Sequence, residues 1–374
     1  MTWHIVTGEY PPSCGGVGDY VAVLAQALAD AGDEVHVWCP GATESGESFA
    51  HHVHALPDRF GPGSRDVLQR ALNASPGTLL LQYVPNALGA RGANVSFCRW
   101  LRSLGGRTDL RVMFHEPYFY FGFARPWRNA LAIAQRWMAR ALLQGSRTVY
   151  ASTASWSRYL RAVGPLEAMT VLPIPSTIPR ADSPDASREW RARMGGGTAP
   201  VVGHFGSYGT DVGAELLTAV PVLARRFPHL RFALIGVGGG TFAERLAAVH
   251  ASTTGRTWAS GRLTPPDVAS ALGACDMLLQ PYPDGVTTRR TSVMAGLRNG
   301  VATLTTAGPL TEPVWRESGA AALVAPGDTA AIVSTVDRWL REPAVRAAQG
   351  SSGRAAYDDR FSMEHTVALL RRAG

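Results

Sequence analysis

The chain has 374 residues, 46% of them hydrophobic and 17% charged, with a formal net charge of +7. That length suits two domains of ordinary size, and the composition excludes a disordered chain. All 36 basic residues are arginine; without lysine, a Walker P-loop enzyme and a Schiff-base or pyridoxal enzyme are both excluded.

Any phosphate held by this protein must therefore meet arginine, backbone N–H groups or hydroxyls. The arginines are scattered among acids with no basic run or zinc-finger spacing, so nucleic acid is not an expected partner. Cys14, Cys39, Cys98 and Cys275 lie far apart with no CxxC pair, as expected of thiols in a reducing compartment. No apolar run approaches the ~20 residues of a membrane span. The first residues read as a strand, and a cytoplasmic location is expected.

Strand-like and helix-like segments alternate along the first half. His4-Ile5-Val6 leads through a glycine-rich turn to an apolar-periodic helix over about 18–31. Strands follow at 34–38, 78–83, 110–114, 148–151 and 169–172. A proline-rich stretch with Pro173, Pro175, Pro179 and Pro184 then places a joint at about 174–185, and relative motion of the flanking domains is expected there. The alternation restarts with strands at 200–205, 231–236, 276–280 and 302–305. Such alternation predicts parallel sheets covered on both faces, with ligands bound at the carboxyl ends of the strands.

Three glycine loops sit at such ends. Cys14-Gly15-Gly16-Val17-Gly18-Asp19-Tyr20 opens the first helix, where backbone N–H groups suit an anion. No G-x-G-x-x-G is complete, and Cys39-Pro40 stands where a dinucleotide site would want an acid. Gly203-His204-Phe205-Gly206-Ser207-Tyr208-Gly209 repeats the geometry in the second half, and Gly236-Val237-Gly238-Gly239-Gly240 follows another strand. Together they favour a phosphorylated ligand. His115-Glu116, just past a buried strand, suits hydrogen bonding to sugar hydroxyls. His51, His52 and His54 read as solvated loop histidines with no metal-ligand spacing, and no D-x-D triplet occurs.

The most informative segment runs from Gln280 through Asp284-Gly285 to Arg289-Arg290-Thr291-Ser292, with a helix expected to start near Arg289. Cations at a helix N-terminus oppose its dipole and call for a negative partner, for which a diphosphate is suited.

With these motifs in order, the chain resembles a retaining, GT4-like glycosyltransferase of the GT-B fold along essentially its whole length. The resemblance rests on Gly15-Gly16-Val17-Gly18-Asp19-Tyr20, Gln82-Tyr83-Val84-Pro85, His115-Glu116, Leu172-Pro173-Ile174-Pro175-Ser176, the Gly206 loop and the Asp284 segment. The family's usual signature is two glutamates separated by seven residues. Here Asp284 takes the first position and Ser292 the second, and the usual arginine and lysine after the joint are replaced by the Gly206–Gly209 region. An Arg-Arg-x-Ser subgroup is the better match.

The resemblance implies an α/β protein with two Rossmann-like domains whose parallel sheets face across a cleft. An acceptor domain is expected over 1–176, a nucleotide-sugar domain over 180–357, and a C-terminal helix at about 358–374 packing back on the first domain. It implies catalytic roles for His115, Asp284 and Arg290. It implies donor binding by Gly15, Gly16, Gly206, Ser207, Tyr208, Gly236, Arg262, Leu263, Gly285, Arg289, Thr291 and Ser292, and acceptor binding by Tyr20, Tyr83 and Glu116. The implied reaction is retaining transfer from a nucleoside-diphosphate sugar, UDP-sugar by default and GDP-sugar as the alternative, with no cofactor or metal. The implied rivals are a nucleotide-sugar epimerase of the same fold and an inactive nucleotide-sugar-binding protein. The aromatic stretch Tyr118-Phe119-Tyr120-Phe121-Gly122-Phe123 with Trp127 suits either a hydrophobic small molecule or a membrane surface. Read as having few basic neighbours, it favours a soluble small-molecule acceptor over membrane association.

Overall fold

The computed structural model describes residues 1–12, 15–41, 50–122, 126–181 and 183–372. The chain forms two compact units, Met1–Pro173 with Thr366–Gly374, and Ile174–His365. Cys14 and Phe123 lie outside the described residues.

The first unit is built on strands β1 (Thr2–Val6), β2 (Glu34–Pro40), β3 (His52–Leu56), β4 (Thr78–Tyr83), β5 (Asp109–Phe114), β6 (Thr148–Ala151) and β7 (Thr170–Val171). They pair in the order β3-β2-β1-β4-β5-β6-β7, all parallel. Leu79, Leu80 and Leu81 are all buried, the continuous apolar run expected of a strand covered on both faces. From Thr366 the last helix, Met363–Arg372, belongs to this unit. The fully buried Arg111 holds it by donating to the Leu370 carbonyl at 2.6 Å while pairing with Asp109.

The second unit has β8 (Val201–Phe205), β9 (Arg231–Ile235), β10 (Thr257–Ala259), β11 (Met277–Gln280), β12 (Ala302–Thr306) and β13 (Ala322–Val324), in the parallel order β10-β9-β8-β11-β12-β13. Strand order reverses between β1 and β4 in one sheet and between β8 and β11 in the other. A doubly wound sheet opens its ligand crevice at such points, beyond the strands' carboxyl ends.

Two expectations change. The proline-rich joint does not run free over 174–185. Ile174 N–H donates to the Thr288 carbonyl at 2.9 Å, Ser176 N–H to the Tyr357 hydroxyl at 3.1 Å, and Arg298 to the Ser176 and Ile178 carbonyls. These bonds tie the stretch to the second unit, and a helix already begins at Pro184 behind the Ser183 cap.

The second change is β3, which occupies the region read as a histidine loop. It pairs with β2 in the register His36↔His52 and Trp38↔His54. Rings then stack across strands: His4 on His36 at 5.1 Å, His36 on His52 at 5.2 Å, and Trp38 on His54 at 4.1 Å. A short strand poor in aliphatic residues carries little local signal, and cross-strand ring contacts supply the pairing energy. Trp38 Nε1–H donates to His4 Nδ1 at 3.2 Å, so His4 Nε2–H must donate to the Ser75 carbonyl at 2.8 Å. His4 is thereby fixed as a neutral tautomer. Among the described residues no three metal-ligating side chains converge.

Burial, and then the neighbouring His36, His52 and His4, push His54 down to about 4 from 6.5, and burial lowers His4 as well. With folded-state values below the free imidazole's, the stabilisation is complete above about pH 6.5 and is lost as pH falls toward 4. Discounted for partial exposure, the loss expected from His54 is about 1–2 kcal/mol. His54→Phe keeps a ring on Trp38 and removes the titration. Its urea unfolding free energy is expected to fall less than the parent's between pH 6.5 and 4.5; parallel pH curves would refute this account.

Candidate functional site

In the second unit, β8 runs into His204-Phe205 and then into Gly206-Ser207-Tyr208-Gly209, ahead of the helix Thr210–Arg226. Gly206 has φ +143°, a conformation that side chains disfavour. Gly236, at φ +120°, packs so close that an added Cβ would stand 2.6 Å from the Gly206 carbonyl oxygen. The two loops thus meet backbone to backbone. Tyr208 braces them, its hydroxyl donating to the Ile235 carbonyl at 3.2 Å and its ring stacked on Phe242.

The segment after β11 forms the facing wall. Gln280 Nε2 donates to the Phe205 carbonyl at 3.1 Å, joining the two loops. Gly285, at φ +89°, turns the chain where Gly308 backbone fills the space of a side chain. The helix here is Thr291–Arg298, beginning two residues past Arg289 and just after both arginines. A turn closed by Arg290 N–H to the Thr287 carbonyl at 3.0 Å holds both arginines outside the helix, with Arg290 at the cap.

Between these loops lies a cavity of about 300 Å³ lined by His204, Phe205, Gly206, Ser207, Val212, Tyr282, Arg289, Arg290, Thr291 and Ser292. Its lining holds two permanent cations, three hydroxyl-bearing side chains besides Tyr282, and no carboxylate. The Arg290 guanidinium lies over the Tyr282 ring at 4.3 Å, and the Tyr282 hydroxyl shares a hydrogen bond with Ser292 at 2.8 Å. Stacking of this kind fixes a guanidinium plane while leaving its N–H groups for an anion. His204 Nδ1–H donates to the Leu279 carbonyl at 2.9 Å, so the buried Nε2 of the neutral ring is an acceptor. Burial pushes this ring down to about 4, which keeps it neutral. The cavity therefore suits an anionic group beside a hydroxyl or amide donor.

The structure thus gathers Gly206, Ser207, Arg289, Arg290, Thr291 and Ser292 around one cavity. Asp284 is exposed at the loop tip, where its carbonyl accepts from Leu310 N–H, and neither it nor Gly285 lines that cavity. Gly236 donates its N–H to Ser260 Oγ, Arg262 is exposed, and Leu263 packs on the core around Trp190 and Leu272; none of the three lines it.

In the first unit, Gly15 and Gly16 open the helix Gly16–Asp30, as expected of an anion site. There the chain supplies its own anion: the Glu9 carboxylate accepts from Val17 N–H at 3.1 Å and Gly18 N–H at 3.3 Å, and lies against Gly15. Burial, and then the Glu9 charge, hold Asp19 above the usual carboxylate value. His115 follows β5, its Nε2–H donating to Gln82 Oε1 at 2.8 Å and its ring edge-on to Tyr20 at 5.4 Å. Tyr20 and Tyr83 are buried beneath the surface, Tyr83 against Phe114, whereas Glu116 is exposed. The aromatic stretch is not poor in basic neighbours: Arg128 lies over Phe119 at 4.3 Å, and Arg136 lies over Tyr118 at 4.1 Å and Phe121 at 4.0 Å.

Sequence reasoning assigned no role to Glu9, Gln82, His204, Tyr282 or Glu312. His204 was legible only as a member of a glycine cluster. Glu312 carries no local signal, yet its buried carboxylate accepts from Thr288 N–H at 3.1 Å, Thr288 Oγ1 at 2.8 Å and Trp315 Nε1 at 3.2 Å, bracing the arginine loop. Burial raises its carboxyl above the ordinary value, a cost that these three donors oppose. Glu312→Ala leaves them unsatisfied and is expected to cost about 1–3 kcal/mol. Glu312→Gln, which keeps an acceptor oxygen, is expected to recover about half of that in urea unfolding; equal losses would show that the carboxylate does not brace the loop through these bonds.

Residues 14–175 match the model of glycosyltransferase family 4. Solved structures resemble the chain over nearly its whole length. Sucrose-phosphate synthase from Thermosynechococcus elongatus superposes with a TM-score of 0.73 at 15% identity, covering 99% of this chain and 97% of that one. HepE of Anabaena, solved with UDP and glucose, gives 0.70 at 15% identity, covering 100% and 98%. An E. coli trehalose-6-phosphate protein bound with UDP-2-fluoro glucose gives 0.66 at 13% identity, covering 100% and 98%. No curated protein matches the chain in sequence. With its two parallel-sheet α/β domains, the protein has the Rossmann-like, two-domain GT-B fold.

Proposed function

We propose that the protein is a retaining glycosyltransferase of family 4 type, moving a sugar from a nucleoside-diphosphate sugar to a small-molecule acceptor. The observation that carries this reading is the cavity beyond β8 and β11, where Arg289, Arg290, Thr291, Ser292 and Ser207 surround space for an anion. The match of 14–175 to the family model supports it, and the UDP and glucose in HepE favour UDP as the nucleotide.

In this reading the bond between the anomeric carbon and the diphosphate oxygen breaks while the acceptor oxygen bonds the same face of that carbon. The acceptor's proton passes to the leaving diphosphate. The protein's main task is then to stabilise charge growing on the leaving group. Arg289 and Arg290 supply cations, and Ser207, Thr291 and Ser292 supply hydroxyl donors. Neutral His204 offers an acceptor to a donor hydroxyl. By the resemblance, His115 orients the donor sugar, Asp284 binds its hydroxyls and Glu116 meets the acceptor.

Two arginines do here what a divalent ion does in other transferases, so no metal is required. Activity is expected to survive EDTA; loss restored by magnesium or manganese would sink that point. Thermal shifts with UDP, GDP and dTDP test the donor site directly, since a ligand at 100-fold its Kd stabilises by about 2.7 kcal/mol. A shift with UDP is expected. No shift with any nucleotide, or turnover of donor without acceptor, would overturn the reading.

A further inference from the structure

The helix Trp127–Gly145 is amphipathic in an unusual sense. Its inward face, with Ala132, Gln135, Met138, Ala139 and Leu142, is buried as expected. Its outward face carries Ile133, 49% exposed, and Trp137, 61% exposed, one turn apart. Trp127 at its start is 69% exposed, and Tyr120 and Phe121 just before it are 58% and 56% exposed. Exposed large hydrophobics elsewhere among the described residues are only Met1, Val237 and Val249. Scattered apolar residues need no account, but a concentration on one element marks an interaction surface.

The charge around these side chains is one-sided. Residues 117–166 contain seven arginines and neither aspartate nor glutamate, so the arginines here are not interspersed with acids. Arg136 is held between the Tyr118 and Phe121 rings, and Arg158 lies over Tyr159 at 5.2 Å, while Arg140 is exposed on the outward side of the helix.

We infer that this face of the first domain seats the protein on an anionic lipid bilayer, with Trp127, Trp137 and Phe121 in the headgroup layer and the arginines on lipid phosphates. Tryptophan and tyrosine favour that layer, where one part of the ring is wet and another apolar. Arginine adds attraction to anionic lipid. A second copy of the chain packed through the same segment would bring two arginine-bearing stretches without acids of their own together, which charge opposes. No helix of the described residues is long and apolar enough to cross a membrane, so the contact is peripheral. The inference goes beyond the proposed reaction and does not depend on it.

Co-sedimentation of the full chain with phosphatidylcholine vesicles, with and without phosphatidylglycerol, tests it without reference to catalysis. Binding is expected on the phosphatidylglycerol vesicles and is expected to fall at high salt. The double variant Trp127→Gln, Trp137→Gln is expected to bind about tenfold more weakly, since both rings leave the interface. Arg140→Gln is expected to lose less. All sites are exposed, and circular dichroism checks that the variants fold. Equal partition onto both vesicle types, or a double variant that binds like the parent, would overturn the inference. So would a homodimer in light scattering that Trp137→Gln dissociates, or preference for an oligonucleotide over the vesicles.

Discussion

Arg290→Ala is expected to lower kcat about 100-fold or more, with a smaller loss for Arg289→Ala. Both arginines line the same cavity, and the Arg290 guanidinium lies over the Tyr282 ring at 4.3 Å. A guanidinium so held loses little further freedom when it meets a phosphate. In the proposed reaction charge on the diphosphate rises as the glycosidic bond breaks, so a contact with Arg290 would strengthen toward the transition state and its loss would appear in kcat. Tyr282→Leu removes the platform and leaves the cation. It is expected to reproduce part of the kcat loss, about 10-fold. Steady-state kinetics of the folded variants decide the matter. If Arg289→Ala and Arg290→Ala both keep near-normal kcat and donor affinity, the diphosphate binds elsewhere.

The second large effect is expected at His115. If His115 orients the donor sugar as proposed, removing the imidazole in His115→Ala is expected to lower kcat about 100-fold, within the range for a positioned polar group. The informative variant is Gln82→Leu. Gln82 Oε1 accepts the proton of His115 Nε2, which leaves Nδ1 unprotonated in the neutral ring. Without that acceptor the Nε2–H loses this partner, and one restraint on tautomer and ring orientation is removed. Gln82→Leu is therefore expected to lower kcat about 10-fold with little change in KM and a shifted pH profile, while Gln82→Glu retains an acceptor and most of the rate. If Gln82→Leu and Gln82→Glu show the same kinetics and pH profile, Gln82 does not act by positioning His115.

Both domains were legible from the chain. Apolar runs such as Leu79-Leu80-Leu81 and Met277-Leu278-Leu279 announce buried strands, and glycines after β1, β8 and β9 announce tight turns into helices. Such signals are local, because periodicity and backbone freedom are properties of neighbouring residues. The lack of lysine is equally a property of the chain, and it left arginine as the cation for any phosphate. On the same local basis Arg289, Arg290, Thr291 and Ser292 form a group by adjacency in the chain.

What tertiary structure decided involves partners distant in sequence. β3 exists because His52 and His54 fall in register with His36 and Trp38, which no window around 52–56 reveals. Glu9 fills the N-terminus of the first helix, so the Gly15–Gly16 turn meets a carboxylate of its own. The arginines precede their helix because Glu312 holds Thr288 from 24 positions away and the turn closes ahead of Thr291. His204 gains an acceptor lone pair in the cavity because the Leu279 carbonyl, 75 positions on, takes its other nitrogen's proton. Hydrophobic pattern and turn chemistry select the elements, but hydrogen-bond partners, tautomers and register follow from which elements become neighbours. Only the folded chain determines that.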